Sequence, residues 1–129
     1  MPSKKYIDSD FVLALMKDSD WLKEKAKLLY EKYKEELIVT PFTVVEIMII
    51  CKREDIPLRE TLFQISRIAK LESVDWNIFF MACEYMEKGA SIFDSLLMAF
   101  CGNDLNNKII SSDKIYEKFG FQVIDLKKV

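Results

Sequence analysis

The chain has 129 residues, half of them hydrophobic and 31% charged, with a formal net charge of -2. That length suits one domain, residues 1–129, with a core of its own, and the slight acidity excludes bulk electrostatic capture of nucleic acid, so a phosphate ligand needs local help or a metal ion. Histidine is absent, which removes His-based acid–base catalysis, Ser-His-Asp triads and any ordinary zinc site, and leaves hard oxygen ligands.

The first predicted element is a short strand at Tyr6-Ile7 that stops at Asp8-Ser9-Asp10, where an apolar helix from Phe11 to Met16 follows at once. Two carboxylates therefore sit on a strand-to-helix turn. Either of them caps the helix by accepting from its first free N–H groups, or they face a ligand beyond the strand's carboxyl end. Asp18-Ser19-Asp20 caps a second helix, with Trp21, Leu22, Ala26, Leu29, Tyr30 and Tyr33 on its inner side. Lys23, Lys25, Lys27, Lys32 and Lys34 fill its other faces as a solvated surface.

Leu37-Ile38-Val39-Thr40 reads as a second strand, and Thr40-Pro41 starts a helix through Cys51, with proline where its missing N–H costs nothing. Glu46 is the only charge in an apolar stretch of that helix. It either closes a capping box with Thr43 or, with Thr40-Pro41 as the start, lies past the first turn and needs a partner or a metal. Asp55-Ile56-Pro57 breaks the chain, and Leu58 to Lys70 forms a helix with Leu62, Ile65, Ile68 and Ala69 inward. Glu72-Ser73-Val74-Asp75 is a minimal strand or extended link.

Trp76 to Lys88 is apolar nearly all round, the pattern of a helix buried on two sides or pressed against another subunit. After Gly89-Ala90-Ser91 comes a helix from Ile92 to Cys101, with Asp94 at its start, where Ser91-x-x-Asp94 is a rival capping pair. Lys108 to Ser112 is a strand ending at Asp113, which opens a short helix to Phe119, and Phe121 to Leu126 is the last strand. Cys51, Cys83 and Cys101 lie singly in helical runs without CxxC spacing, which predicts buried, reduced thiols in a cytoplasmic protein. Three glycines build neither a P-loop nor GxGxxG. There is no apolar run of membrane-spanning length and no visible signal peptide.

Strands alternating with helices predict an α/β fold, a parallel sheet covered on both faces. Asp8 and Asp113 follow two strands, while Glu46 and Asp94 lie near two helix starts. Each alone can be a cap. Together, in a histidine-free chain, they form a pattern of oxygen ligands for Mg²⁺ or Mn²⁺.

These pieces, in this order and spacing, resemble the PIN-domain nucleases, which include the VapC-type ribonuclease toxins. The matching residues are Tyr6-Ile7-Asp8-Ser9, Thr43-Val44-Val45-Glu46-Ile47, Ile92-Phe93-Asp94-Ser95-Leu96 with Ala99, and Ile109-Ile110-Ser111-Ser112-Asp113 followed by Phe121 to Ile124. The resemblance implies a three-layer α/β/α domain with a five-stranded parallel sheet of order 3-2-1-4-5. It also implies a site in which Asp8, Glu46, Asp94 and Asp113 hold one or two Mg²⁺ or Mn²⁺ ions and cleave single-stranded RNA, with Ser9, Asp10 and Ser111 as auxiliary groups. Asp10 stands where the family more often has Asn or Ser, Ser111 where Thr is usual, and Cys101 where a small alanine is usual.

The implied partners are an antitoxin protein and single-stranded RNA. A second copy of the chain is expected from the excess of apolar positions around Phe79, Phe80, Met81, Tyr85 and Met86, and along Ile47 to Cys51. Two alternatives belong to other classes: a catalytically silent PIN-fold binding module, and a haloacid-dehalogenase-type phosphatase suggested by Asp8-Ser9-Asp10.

Overall fold

The computed structural model describes residues 3–17, 20–102 and 104–129. Its elements in order are β1 (Lys5–Ile7), α1 (Ser9–Met16), α2 (Lys23–Tyr33), β2 (Leu37–Val39), α3 (Pro41–Glu54), α4 (Leu58–Ile68) and β3 (Lys70–Leu71). There follow α5 (Trp76–Glu87), α6 (Ile92–Cys101), β4 (Lys108–Ser111), α7 (Ile115–Lys118), β5 (Val123–Asp125) and a closing 3₁₀ turn, Leu126–Lys128. The five strands are all parallel and lie in the order β3-β2-β1-β4-β5, the three-layer arrangement that the resemblance implies.

Period-two alternation of side chains divides the sheet's neighbours into two cores. Ile7, Leu37, Val39 and Ile110 face one side, where Phe11, Val12, Ala26, Leu29, Ile47 and Cys51 of α1 to α3 meet them. Tyr6, Ile38 and Ile109 face the other, where Leu97, Met98, Cys101 and Tyr116 of α6 and α7 are buried. Register fixes this division: Tyr6 pairs with Ile38 and Ile109, and Ile7 with Ile110. A one-residue slip of β1 would exchange its two faces.

The helix starts follow local chemistry. Thr40 Oγ1 accepts from Thr43 N at 3.0 Å and Pro41 takes the first helical position of α3, so Glu46 lies past the first turn and closes no capping box. Asp8 caps α1 by accepting from Ser9 N at 2.8 Å. Ser91 caps α6, accepting from Asp94 N at 3.2 Å.

Several sequence expectations need correction. Trp21 is 72% exposed rather than inward, because α2 begins only at Lys23 and Trp21 lies before its buried stripe. Asp18 and Ser19, expected to cap that helix, lie outside the described residues, while Asp20 Oδ1 accepts from Leu22 N. The third strand is Lys70–Leu71, not Glu72 to Asp75. Glu72 instead takes the Tyr6 hydroxyl at 2.6 Å and the Lys4 ammonium at 2.7 Å, and Asp75 caps α5. Cys51 and Cys101 are buried free thiols, but Cys83 is exposed on α5. Among the described residues no helix is long and apolar enough to cross a membrane.

Candidate functional site

The strand order reverses between β1 and β4, and an open parallel sheet has its crevice beyond the carboxyl ends at such a point. There a cavity of about 530 Å³ is lined by Asp8, Ser9, Asp10, Glu46, Asp94, Ser112, Asp113, Lys114 and Lys127. All four acids singled out from the sequence line it, and so do Ser9 and Asp10. Ser111 lies at the end of β4 just beneath, with its hydroxyl turned to the acids.

The cavity is knitted from its floor. Ser111 Oγ donates to Asp8 Oδ2 at 2.9 Å, approaches Asp10 Oδ2 at 3.4 Å, and accepts from Asp113 N at 3.0 Å. Asp10 Oδ2 also receives Ser112 N at 2.7 Å and the Ser112 hydroxyl. Its other oxygen, Oδ1, is buried with no hydrogen-bond partner. An orphaned buried carboxylate oxygen is costly unless something positive reaches it.

Burial, and then the charge of Asp10, push the Asp8 carboxyl up to about 7, although Ser111, Ser9 N and Tyr116 pull the other way. Glu46 is likewise raised, first by burial and then by Asp94 and Asp10, against a bond from Ser9. Like charges gathered in a poorly solvated crevice explain both directions.

The sequence reading missed Tyr116. It is fully buried, and its hydroxyl lies 2.9 Å from Asp8 Oδ2 and 3.0 Å from Asp94 Oδ1. A phenol has one hydrogen, so it donates to one carboxylate at a time; Asp8, with its raised pKa, is the group suited to carry the proton for the second contact. The available signal was a polar-tipped aromatic three residues after Asp113, about one helical turn away. Ser112, Lys114 and Lys127 were missed as well. Nothing marked the lysines, because their place on the rim depends on how the loop after β4 and the 3₁₀ turn fold back.

The donor set is made of hard oxygens, the kind that Mg²⁺ and Mn²⁺ take. The buried, unpartnered Asp10 Oδ1 fits a cation at this place. As the side chains stand, however, no three Asp, Glu or Cys groups among the described residues are drawn together closely enough to hold an ion. Asp113 Oδ1 accepts from Ile115 N at 3.0 Å in a local turn.

The PIN domain family matches residues 5–122. The chain belongs to that family. Among solved structures, this PIN domain is similar to VapC20 of Mycobacterium tuberculosis, described as a sarcin–ricin-loop-cleaving toxin, with a TM-score of 0.75 and 16% identity over 92% of this chain and 96% of that one. It is equally similar to a chain of a toxin–antitoxin complex from Klebsiella pneumoniae, with a TM-score of 0.75 and 13% identity over 95% and 98%. A DNA-bound VapBC from Salmonella typhimurium has a TM-score of 0.73 and 13% identity over 96% and 98%. Identities this low speak to the fold alone. No curated protein matches the chain in sequence. Membership of the PIN family sets aside the haloacid-dehalogenase reading of Asp8-Ser9-Asp10.

Proposed function

We propose that the chain is one PIN domain that hydrolyses phosphodiester bonds in single-stranded RNA, with Mg²⁺ or Mn²⁺ held by Asp8, Glu46, Asp94 and Asp113. The observation that carries this reading is the convergence of those acids and Asp10 on one crevice at the point of strand reversal, with Asp10 Oδ1 buried and unpartnered. A divalent cation there supplies an acidified water and positive charge opposite the scissile phosphate.

The chain's own residues do the rest. Ser111 and Ser9 orient the acids from below, acting as auxiliary groups with Asp10. Lys114 and Lys127, on the rim, take the flanking phosphates of a strand that the acids alone would repel. No side chain is needed as a general base, which suits a chain without histidine.

On this reading the protein is the toxin of a toxin–antitoxin pair, restrained by an antitoxin and working as a homodimer. Support for a second copy comes from α5, where Trp76 is 77% and Phe80 is 68% exposed, beside Phe79 and Met86. Met48 and Ile49 of α3 are exposed too, whereas Ile47 and Cys51 belong to the core.

The test is incubation of single-stranded RNA with the purified chain in Mn²⁺ or Mg²⁺, beside EDTA. Cleavage that needs the metal and disappears with Asp94→Asn is expected. Metal-independent cleavage overturns the metal-site reading, and no cleavage at all overturns the nuclease reading in favour of the silent binding module.

A further inference from the structure

Two of the four acids are joined by one side chain that the sequence pattern does not mark. Asp8 comes from the end of β1 and Asp94 from the first turn of α6, elements on different layers of the fold. The Tyr116 hydroxyl stands 2.9 Å from Asp8 Oδ2 and 3.0 Å from Asp94 Oδ1. Asp8 has two further donors, Ser9 N and Ser111 Oγ. Among the described residues, Asp94's carboxylate receives no hydrogen bond other than the one from Tyr116.

The tyrosine is itself held firmly. Its ring is fully buried in the core that contains Leu97, Met98 and Ile109. Its backbone carbonyl accepts from Phe119 N at 3.2 Å and Phe121 N at 3.0 Å, at the turn into β5. A ring with two torsions, both fixed by packing, presents its oxygen at a set place. By contrast, Asp94 has two side-chain torsions at a helix start and, apart from that contact, no hydrogen bond to its carboxylate among the described residues to set them.

We propose that Tyr116 is a positioning residue, its hydroxyl fixing the carboxylate of Asp94 relative to that of Asp8 so that both face the same cation. This rests on the metal-dependent reading above and adds to it the device that sets the site's geometry. Hydrogen-bond partners of ligating groups typically govern metal affinity by about 10–100-fold, and an effect of that order is expected here. Because the action runs through Asp94, it should disappear once Asp94 no longer carries a ligating carboxylate.

The experiment is a double-mutant cycle read as Mn²⁺ affinity, from the free-ion electron paramagnetic resonance signal during titration, with no RNA present. Tyr116→Phe keeps the ring and removes the hydroxyl, and should weaken Mn²⁺ binding about 10–100-fold relative to the parent. In an Asp94→Asn background the same change should cost less than about threefold, the signature of two residues acting as one. Tyr6→Phe is the matched control: another buried tyrosine, but one whose hydroxyl meets Glu72, with neither residue lining the crevice, so affinity should stay as in the parent.

Melting each chain in EDTA accompanies the titrations. Equal Mn²⁺ affinity in parent and Tyr116→Phe overturns the proposal, and so does an equal loss with and without the Asp94 carboxylate. A Tyr116→Phe chain without a native melt overturns it in favour of a merely structural tyrosine. A parent that binds no Mn²⁺ sinks the metal-dependent reading and this inference together, whereas the other outcomes leave that reading standing.

Discussion

Replacing Asp8 with asparagine should make the metal-free protein more stable, although Asp8 lies at the centre of the proposed site. In the fold its carboxyl is pushed from 3.8 up to about 7, by burial first and by Asp10 second. Between those values the folded state keeps a proton that the unfolded chain has lost, so stability falls as pH rises from about 4 to 7 and levels off above. At about 1.36 kcal/mol per pKa unit, the ionised carboxylate costs the fold roughly 4 kcal/mol at pH 8. Asparagine carries no charge, and its oxygen can still accept from Ser9 N while the Ser111 and Tyr116 hydroxyls turn to accept from its amide. Allowing about half of the penalty for imperfect refitting, Asp8→Asn should gain about 2 kcal/mol at pH 8, or roughly 6–10 °C in Tm for a chain of this length. The gain should fall as the pH is lowered and become a loss of about 2 kcal/mol near pH 4, where the ionisation penalty is gone and the cost of refitting remains. Thermal melts of both proteins in EDTA across pH 4–8 measure this directly. In saturating Mn²⁺ the order should reverse, since binding stabilises only the chain that binds. A variant that melts below the parent at pH 8 in EDTA would refute the reasoning, because it would mean that the hydrogen bonds to Asp8 outweigh burial and like charge.

Other outcomes follow from the same structure. Lys114→Ala and Lys127→Ala should each lower the slope of log affinity for single-stranded RNA against log salt by about 0.7, measured in Ca²⁺ or EDTA to prevent turnover; unchanged slopes would place the RNA elsewhere. Thr40→Val removes the α3 cap and should cost about 1–2 kcal/mol in urea unfolding; an unchanged midpoint would refute the cap's contribution. Trp76→Lys with Phe80→Lys should convert a dimer to a monomer in sedimentation velocity, and a parent already monomeric at tens of micromolar defeats the dimer reading.

Most of the fold was legible because its signals are local. Short β-branched runs, Thr40-Pro41 and Ser91 fix where strands end and helices start, and alternation of strand and helix leaves few topologies for a sheet. The third strand was misplaced because two residues at a sheet edge, Lys70 and Leu71, carry no period to detect; their pairing with β2 is what defines them. Trp21 was placed inward because helical spacing counts residues without knowing where the helix starts. At the site, the four acids were visible as lone charges beside apolar runs. Tyr116 and the two lysines were not, since each reaches the crevice through tertiary folding and has nothing unusual around it in the chain.

For each acid the competing reading was a helix cap, and the structure shows that capping and a place in the crevice divide unevenly among them. Asp8 does both, with one oxygen on Ser9 N and the other on Ser111 and Tyr116. Ser91 takes over the cap of α6, which frees Asp94 to turn towards Tyr116. Glu46 lies beyond the first turn of α3 and has no free N–H to serve. Asp113 still spends one oxygen on Ile115 N. A strand-to-helix turn aims a helix's unsatisfied N–H groups, the positive end of its dipole, at the place where carboxylates following the strand also point. The same geometry that makes acids good caps thus gathers them beyond the sheet. The helix ends offset part of their mutual repulsion, but burial first and the charge of Asp10 second still push the Asp8 carboxyl up to about 7.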